Sequence, residues 1–331
     1  MPHPYSSRKV LVTGGAGFIG SHVADALIAE GANVHVLDNL EGGRLENIPD
    51  AAVFHEMDIR DPAVATLFEE EKFAAMVHLA AQMDVRKSVA DPAFDAQVNV
   101  LGLLNLLEAG RANGLEMVVF TSTGGAIYGD PDPNVNGGGP QPESHPELPA
   151  SPYGITKLVS EHYLRFFDAA HSLPYVALRF ANVYGPRQNP HGEAGVVAIF
   201  TERLLRGEQP VINGPGKQTR DYVFVGDVVK AVVSALAFAG SDVINIGTGI
   251  ETDVNELFEH LNRLTGGRAE EKHGPGMPGE QQRSVLDASY AADVLGWRPE
   301  VALADGLAET VAWFKARRDN APASGITDPV S

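Results

Sequence analysis

Tyr153 and Lys157 stand four residues apart, just behind Ser151 and Pro152. Ser is a favoured helix N-cap and Pro suits the first helical position, so the spacing predicts a helix starting here. Residues i and i+4 share a helix face, which lets a phenol and an ammonium address one ligand. A cation near a phenol favours the phenolate and lowers its pKa from about 10. The chemistry expected is proton abstraction near neutral pH. Most such pairs on exposed helices are merely solvated, so this one must find something in the chain to act on.

A nucleotide site is the candidate. Val10-Leu11-Val12-Thr13 runs into Gly14-Gly15-Ala16-Gly17-Phe18-Ile19-Gly20. Strand, glycine turn and helix start follow in the order that lets a backbone approach a pyrophosphate and aim helix N–H groups at it. Gly14, Gly17 and Gly20 give G-x-x-G-x-x-G, and Gly15, Gly17 and Gly20 give G-x-G-x-x-G. Asp38 closes the second strand pattern, eighteen residues past Gly20. An acid there can bond ribose hydroxyls and repel a 2′-phosphate, favouring NAD over NADP. The alternative is a helix or turn cap, and Arg44 could still meet a phosphate. Asp58-Ile59 ends the third strand pattern, where an adenine edge would lie, and His78-Leu79-Ala80-Ala81-Gln82 ends the fourth. Ser122 and Thr123 follow a buried run, and a hydroxyl at the C-terminal end of a strand in an open α/β sheet points toward the ligand crevice.

The elements that must hold these residues are legible as alternation. Val10–Val12, Val34–Leu37, Met76–Leu79 and Met117–Phe120 are apolar on successive positions, as in parallel strands buried on both faces. Amphipathic stretches at 22–30 and 98–112 lie between them, and 175–180 reads as a further strand. The pattern predicts an α/β fold, a doubly wound parallel (Rossmann) sheet with a smaller α/β substrate-binding domain. The boundaries expected are 8–182 for the nucleotide domain, 183–317 for the second, with chain crossings between them, and a flexible tail at 318–331. A loop at 130–150, rich in Pro and Gly, leads straight into Tyr153; loops of that length are usually functional or disordered. Helices are expected at 151–169, 194–206, 225–237, 253–265 and 303–317.

Bulk properties exclude several classes. The chain has 331 residues, 44% of them hydrophobic, with no Cys and a net charge of −18. Such acidity argues against nucleic acid and anionic membranes as partners. The longest apolar run, 231–239, is too short to span a bilayer, and the start of the chain lacks a signal-peptide core. A cytoplasmic protein is expected. An anionic ligand must then be met by a few placed Arg residues and by backbone N–H groups.

Taken together, these segments resemble the extended short-chain dehydrogenase/reductase family, in its nucleotide-sugar branch, and most of all the 4-epimerases of UDP-glucose. The likeness continues through Tyr153-Gly154-Ile155-Thr156-Lys157, Arg179-Phe180-Ala181-Asn182-Val183-Tyr184-Gly185-Pro186, Arg220-Asp221-Tyr222, Asn245-Ile246-Gly247-Thr248-Gly249 and Leu295-Gly296-Trp297. It runs from about Lys9 to Phe314. The resemblance implies bound NAD, a UDP-hexose substrate and a homodimer through the helices at 98–112 and 151–169. Thr123, Tyr153 and Lys157 would be catalytic, with Lys157 holding the nicotinamide ribose. Cofactor contacts would come from Gly14, Gly17, Phe18, Ile19, Gly20, Asp38, Asn39, Leu40, Asp58, Ile59, Leu79, Ala80, Ala81, Gln82, Asn99, Tyr153, Lys157 and Phe180. Substrate contacts would come from Thr123, Tyr153, Asn182, Val196, Arg220, Glu280 and Arg283, and no metal is implied. In that mechanism Tyr153 takes the proton of the sugar 4-hydroxyl while hydride passes to NAD; the 4-keto sugar turns over and both return to its other face.

Three departures from the family pattern matter. The Ser122-Thr123 segment has one extra residue before Tyr128, so Ser122 stays open beside the expected Thr123. Met277 stands where many 4-epimerases carry a phosphate-binding Arg, and Arg283 is the substitute. Ser284 lies where sugar-pocket width is set, and its small side chain leaves room for an N-acetyl group. Sugar 4,6-dehydratases carry Asp-Glu after the Thr, and this chain has Gly124-Gly125. The Glu of UDP-glucuronate decarboxylases is also absent. Epimerases of UDP-glucuronate or UDP-pentoses remain open, as does a non-catalytic NAD-binding sensor.

Overall fold

The computed structural model describes residues 3–191, 195–276 and 281–319. Twelve strands run in chain order: β1 Lys9–Thr13, β2 Asn33–Asp38, β3 Val53–Glu56, β4 Ala75–His78, β5 Met117–Thr123, β6 Tyr175–Phe180, β7 Asn182–Tyr184, β8 Ile212–Asn213, β9 Thr219–Phe224, β10 Asp242–Ile246, β11 Glu251–Asp253 and β12 His273–Gly274. The helices are α1 Phe18–Ala29, α2 Val64–Glu71, α3 Val85–Ala90, α4 Pro92–Ala96, α5 Gly102–Ala112, α6 Gly124–Ile127, α7 Pro152–His171, α8 Val196–Leu205, α9 Val225–Leu236, α10 Val254–Thr265, α11 Ser289–Val294 and α12 Leu303–Asp319.

Seven strands form one parallel sheet in the order β10-β6-β5-β4-β1-β2-β3. The predicted runs are its central strands, and β4, β6 and β10 carry apolar side chains to both faces. One face packs on α1 and α9 through Val10, Val12, Val77 and Val119; the other packs on α2, α5 and α7 through Leu11, Met76, Val118 and Phe120. The order reverses between β1 and β4, the switch point at which such sheets bind ligands.

A change of position along the chain is not a change of domain here. β10 lies beyond residue 183 yet pairs with β6 over five residues, and α9 packs on α1. The crossing expected from the sequence therefore carries a strand and a helix back onto the first sheet. A second layer consists of β11-β9-β7 with β12-β8 nearby. The predicted helix at 98–112 is an α-helix only from Gly102; Gln97–Leu101 forms a wider π-turn that joins it to α4. The loop at 130–150 contains one short 3₁₀ helix, Asn136–Gly138, among simple turns, and is stitched down where Gln141 exchanges backbone hydrogen bonds with Val285 and Asp287. Tail residues from 320 on and Ala194 lie outside the described residues.

Candidate active site

Helix α7 begins as the sequence requires. Ser151 Oγ accepts the Gly154 N–H at 3.2 Å, and Pro152 opens the first turn. Tyr153 donates its backbone N–H to Ser88 Oγ at 3.3 Å, tying α7 to α3. Lys157 is buried; its Nζ donates to Thr121 O at 2.8 Å and lies 4.8 Å from the Phe120 ring centre. It lies 6.0 Å from the Tyr153 ring centre. Burial pulls the ammonium down to about 8, against the opposing pull of Asp95 and Glu161. The phenol departs from expectation. Burial first, and Asp95 second, push Tyr153 well above its ordinary value, so within the protein the downward pull expected from Lys157 is overridden.

The two hydroxyls that end β5 point to opposite faces, as successive strand residues must. Ser122 is buried and donates to Glu161 Oε1 at 2.5 Å. Thr123 sits at the N-cap of α6, accepts the Ala126 N–H at 3.3 Å and remains partly accessible. Geometry thus leaves Thr123 on the crevice side and commits Ser122 to the layer beneath.

The glycine turn fits a dinucleotide. Gly14 has φ +70°, and a Cβ on it would sit 2.7 Å from Ala80 N; a Cβ on Gly20 would sit 2.1 Å from Gly14 O. The turn therefore closes tightly against the end of β4, and no side chain caps the N-terminus of α1. Its first N–H groups are the kind that receive a phosphate. Phe18 and Ile19 form the first turn of α1, and Leu79, Ala80 and Ala81 follow β4 beside it. Asp38 ends β2, but both carboxylate oxygens are already used: Oδ2 accepts the Ala16 N–H at 3.0 Å and Oδ1 the Leu40 N–H at 2.8 Å. It braces the glycine turn and caps its own turn, the role weighed in the sequence against ribose binding. Asn39 donates weakly to Asp58 at 3.4 Å. Asp58 itself is gripped by Arg60, whose hydrogen bonds bring the carboxyl down to about 2. Ile59 is buried against Gly102.

A polar network connects this cradle to α7. Gln82 N–H donates to Asn99 Oδ1 at 2.8 Å, and Asn99 Nδ2 returns to Gln82 O at 2.9 Å. Asn99 reaches this position from the π-turn, a local widening often found at functional sites. Asp95, missed in the sequence, accepts from Gln82 Nε2, Asn99 Nδ2 and Thr156 Oγ1. Only the i, i+4 spacing of Asp95 and Asn99 could have hinted at it. Phe180 stands opposite Thr123 in the β5–β6 register.

The opposite side of the crevice comes from the second layer. A Cβ on Gly125 would approach Ser284 Oγ to 3.4 Å and Asn182 Oδ1 to 3.9 Å, so these three face one another. Ser284 is buried, and its hydroxyl has no hydrogen-bond partner among the described residues. Arg220 extends from β9, partly exposed, and donates to Thr219 O. Its neighbour Asp221 is fully buried and takes hydrogen bonds from Thr248 N, Thr248 Oγ1, Gly249 N and Leu286 N, which locks β9 to the following turn. Val196 begins α8. Arg283 is not poised as expected. Its guanidinium is held by both oxygens of Glu251 and donates to Gly138 O at 2.9 Å. Met277 and Glu280 lie outside the described residues. A separate cleft of about 510 Å³, beside Thr248, Asp287 and Arg298, has none of the candidate residues in its walls.

Fold and site together define a Rossmann-type nucleotide-binding protein with a glycine turn at the end of β1 and, on α7, a half-buried Tyr153 one turn before the buried Lys157. The chain belongs to the NAD dependent epimerase/dehydratase family, whose model matches residues 10–247. It is 47% identical to the UDP-glucose 4-epimerase of Mycolicibacterium smegmatis over 313 residues, which is 93% of this chain and 98% of that one. Its fold superposes on the crystal structure of a Thermotoga maritima UDP-glucose 4-epimerase with UDP-glucose at TM-score 0.91 and 48% identity, covering 94% and 99% of the two chains. It superposes on the Thermus thermophilus UDP-glucose 4-epimerase complex with NAD at TM-score 0.86 and 44% identity, covering 93% and 99%. Among the described residues no helix is long and apolar enough to cross a membrane.

Proposed function

We propose that this protein interconverts UDP-glucose and UDP-galactose by inversion at the sugar C4, with NAD as a retained cofactor. The observation that carries the reading is that Lys157, 6.0 Å from the Tyr153 ring centre, bonds Thr121 O on the strand that ends at Thr123, with Gly124-Gly125 in place of the acids an elimination needs. NAD, when bound, supplies the acceptor and donor of a hydride. Tyr153 takes the proton of the 4-hydroxyl and returns it. Lys157, anchored to Thr121 O, holds the cofactor ribose beside it. Thr123 holds the sugar oxygen from the other side, because its hydroxyl is the one that faces the crevice. Asn182 and Arg220 anchor the nucleotide; Arg283 takes part only by leaving Glu251.

A sugar that must turn over needs a wide pocket. Ser284 is small, and its buried hydroxyl is unpartnered beside Gly125, which supports acceptance of UDP-GlcNAc and UDP-GalNAc as well. The protein works in the cytoplasm as a homodimer. Exposed Leu101 beside α5, and Ile155, Tyr163 and Phe166 on α7, support that contact.

The test is turnover of UDP-galactose by purified protein without added NAD, with mass spectrometry of the retained cofactor. Turnover together with released NAD is expected; a cofactor-loaded protein that leaves every UDP-hexose unchanged would sink the reading. Turnover confined to the non-acetylated pair would remove the claim for Ser284.

A further inference from the structure

We propose that Asp95 is a positioning residue that sets the charge states of Tyr153 and Lys157, and through them the pH range in which the site works. This rests on the reading of Tyr153 as the acid and base. Asp95 is 0% exposed. Its carboxylate accepts from Thr156 Oγ1 at 2.7 Å, and Thr156 lies between Tyr153 and Lys157 on α7. Its other partners are Gln82 Nε2 at 2.9 Å and Asn99 Nδ2 at 3.2 Å. All three donors are neutral. They solvate the carboxylate without cancelling its charge, and a buried charge with no counter-ion acts over a longer range than a surface one.

The other groups facing the pair are already balanced or neutral. Glu161, one turn past Lys157 on α7, is gripped through both oxygens by Arg179 of β6, which also pairs with Glu147 from the long loop. His78 of β4 is held at about 3 by burial and by the charge of Lys157, so it stays neutral. Of the two carboxyl groups, Glu161 is bonded to a guanidinium and Asp95 only to neutral donors. A negative charge there holds protons on both groups. It adds to burial in raising the phenol and opposes burial at the ammonium. An uncharged residue at 95 lets both lose their protons at lower pH.

The test reads Tyr153 directly, as the ultraviolet phenolate titration of the NAD-loaded protein minus that of its Tyr153→Phe variant. D95N keeps the side-chain volume. Its phenol is expected to ionise at least about half a pH unit lower, with the kcat–pH profile moving acidward in step. Asp95→Glu restores the charge and is expected to restore both. An unmoved titration midpoint in D95N overturns the proposal, and so does a fall in kcat with an unmoved profile, which marks a merely structural role. Should D95N not fold, Asp95→Ser is read the same way. The titration needs no turnover, so failure of the epimerase reading and failure of this one are separate results.

Discussion

At the scale of single residues, two adjacent hydroxyls make opposite predictions. Ser122→Ala removes one of the two donors on Oε1 of buried Glu161, leaving only Arg179 Nε there, so it should lower stability by about 1–3 kcal/mol in urea unfolding while kcat changes little. Tyr153→Phe should do the reverse: an unchanged unfolding midpoint and a kcat lower by about 10²–10⁴-fold. A third prediction concerns acid. His78 is fully buried, bonded to Thr13 Oγ1 at 2.7 Å, and held at about 3, whereas an unfolded His titrates near about 6.5. Between these values the unfolded chain binds a proton that the folded one refuses, so stability falls as pH drops below about 6.5. The slope from this group is about 1.4 kcal/mol per pH unit. Burial lowers His22, His35 and His55 in the same sense. Unfolding midpoints at several pH values should show a shallower acid slope for His78→Gln; an equal slope would show that His78 does not contribute.

At the scale of elements, the glycine turn separates folding from binding. A Cβ on Gly20 collides with Gly14 O, so Gly20→Ala should destabilise the whole β1–α1 unit. A Cβ on Gly17 meets only Gly14 O, at 3.1 Å, and stands at the N-cap of α1, whose free N–H groups suit a phosphate. Gly17→Ala should therefore keep the unfolding midpoint within about 1 kcal/mol yet lose most of its retained NAD, measured as cofactor released per chain. The turn was legible in the sequence because a strand, four glycines and a helix start fall within a dozen residues. So were α7, from its cap, and the central strands, from runs buried on both faces. What escaped was whatever depends on distant partners. Asp95 is one acid among 43 acidic residues until the fold lays Thr156 and Gln82 on it. The π-turn that aims Asn99 keeps a helical composition and hides inside an apparently regular helix. Ser122 and Thr123 could be separated only once Glu161 was seen to lie under one of them. Strands β7 and β11, three residues each, are too short for any periodicity.

At the scale of the molecule, exposed Leu101 beside α5 and the exposed apolar residues of α7 form the surface on which dimerisation is proposed. Phe166 is 54% exposed on a helix that also carries both members of the Tyr–Lys pair. Phe166→Glu is expected to elute as a monomer in gel filtration while its circular dichroism spectrum stays unchanged. A dimer of normal size would place the contact elsewhere.

The return of β10 to the large sheet has a consequence for how the chain is made. When Phe180 leaves the ribosome, β6 is the bare edge of a nearly finished sheet, and the strand that covers it lies roughly sixty residues further on. At about 5–20 residues per second this edge waits several seconds for its neighbour. During that interval Tyr175–Phe180, an apolar run with free backbone groups, can pair with another nascent chain. Chaperone demand during synthesis should accordingly be concentrated in this window, and a message truncated after Phe180 should yield aggregate rather than a half-enzyme.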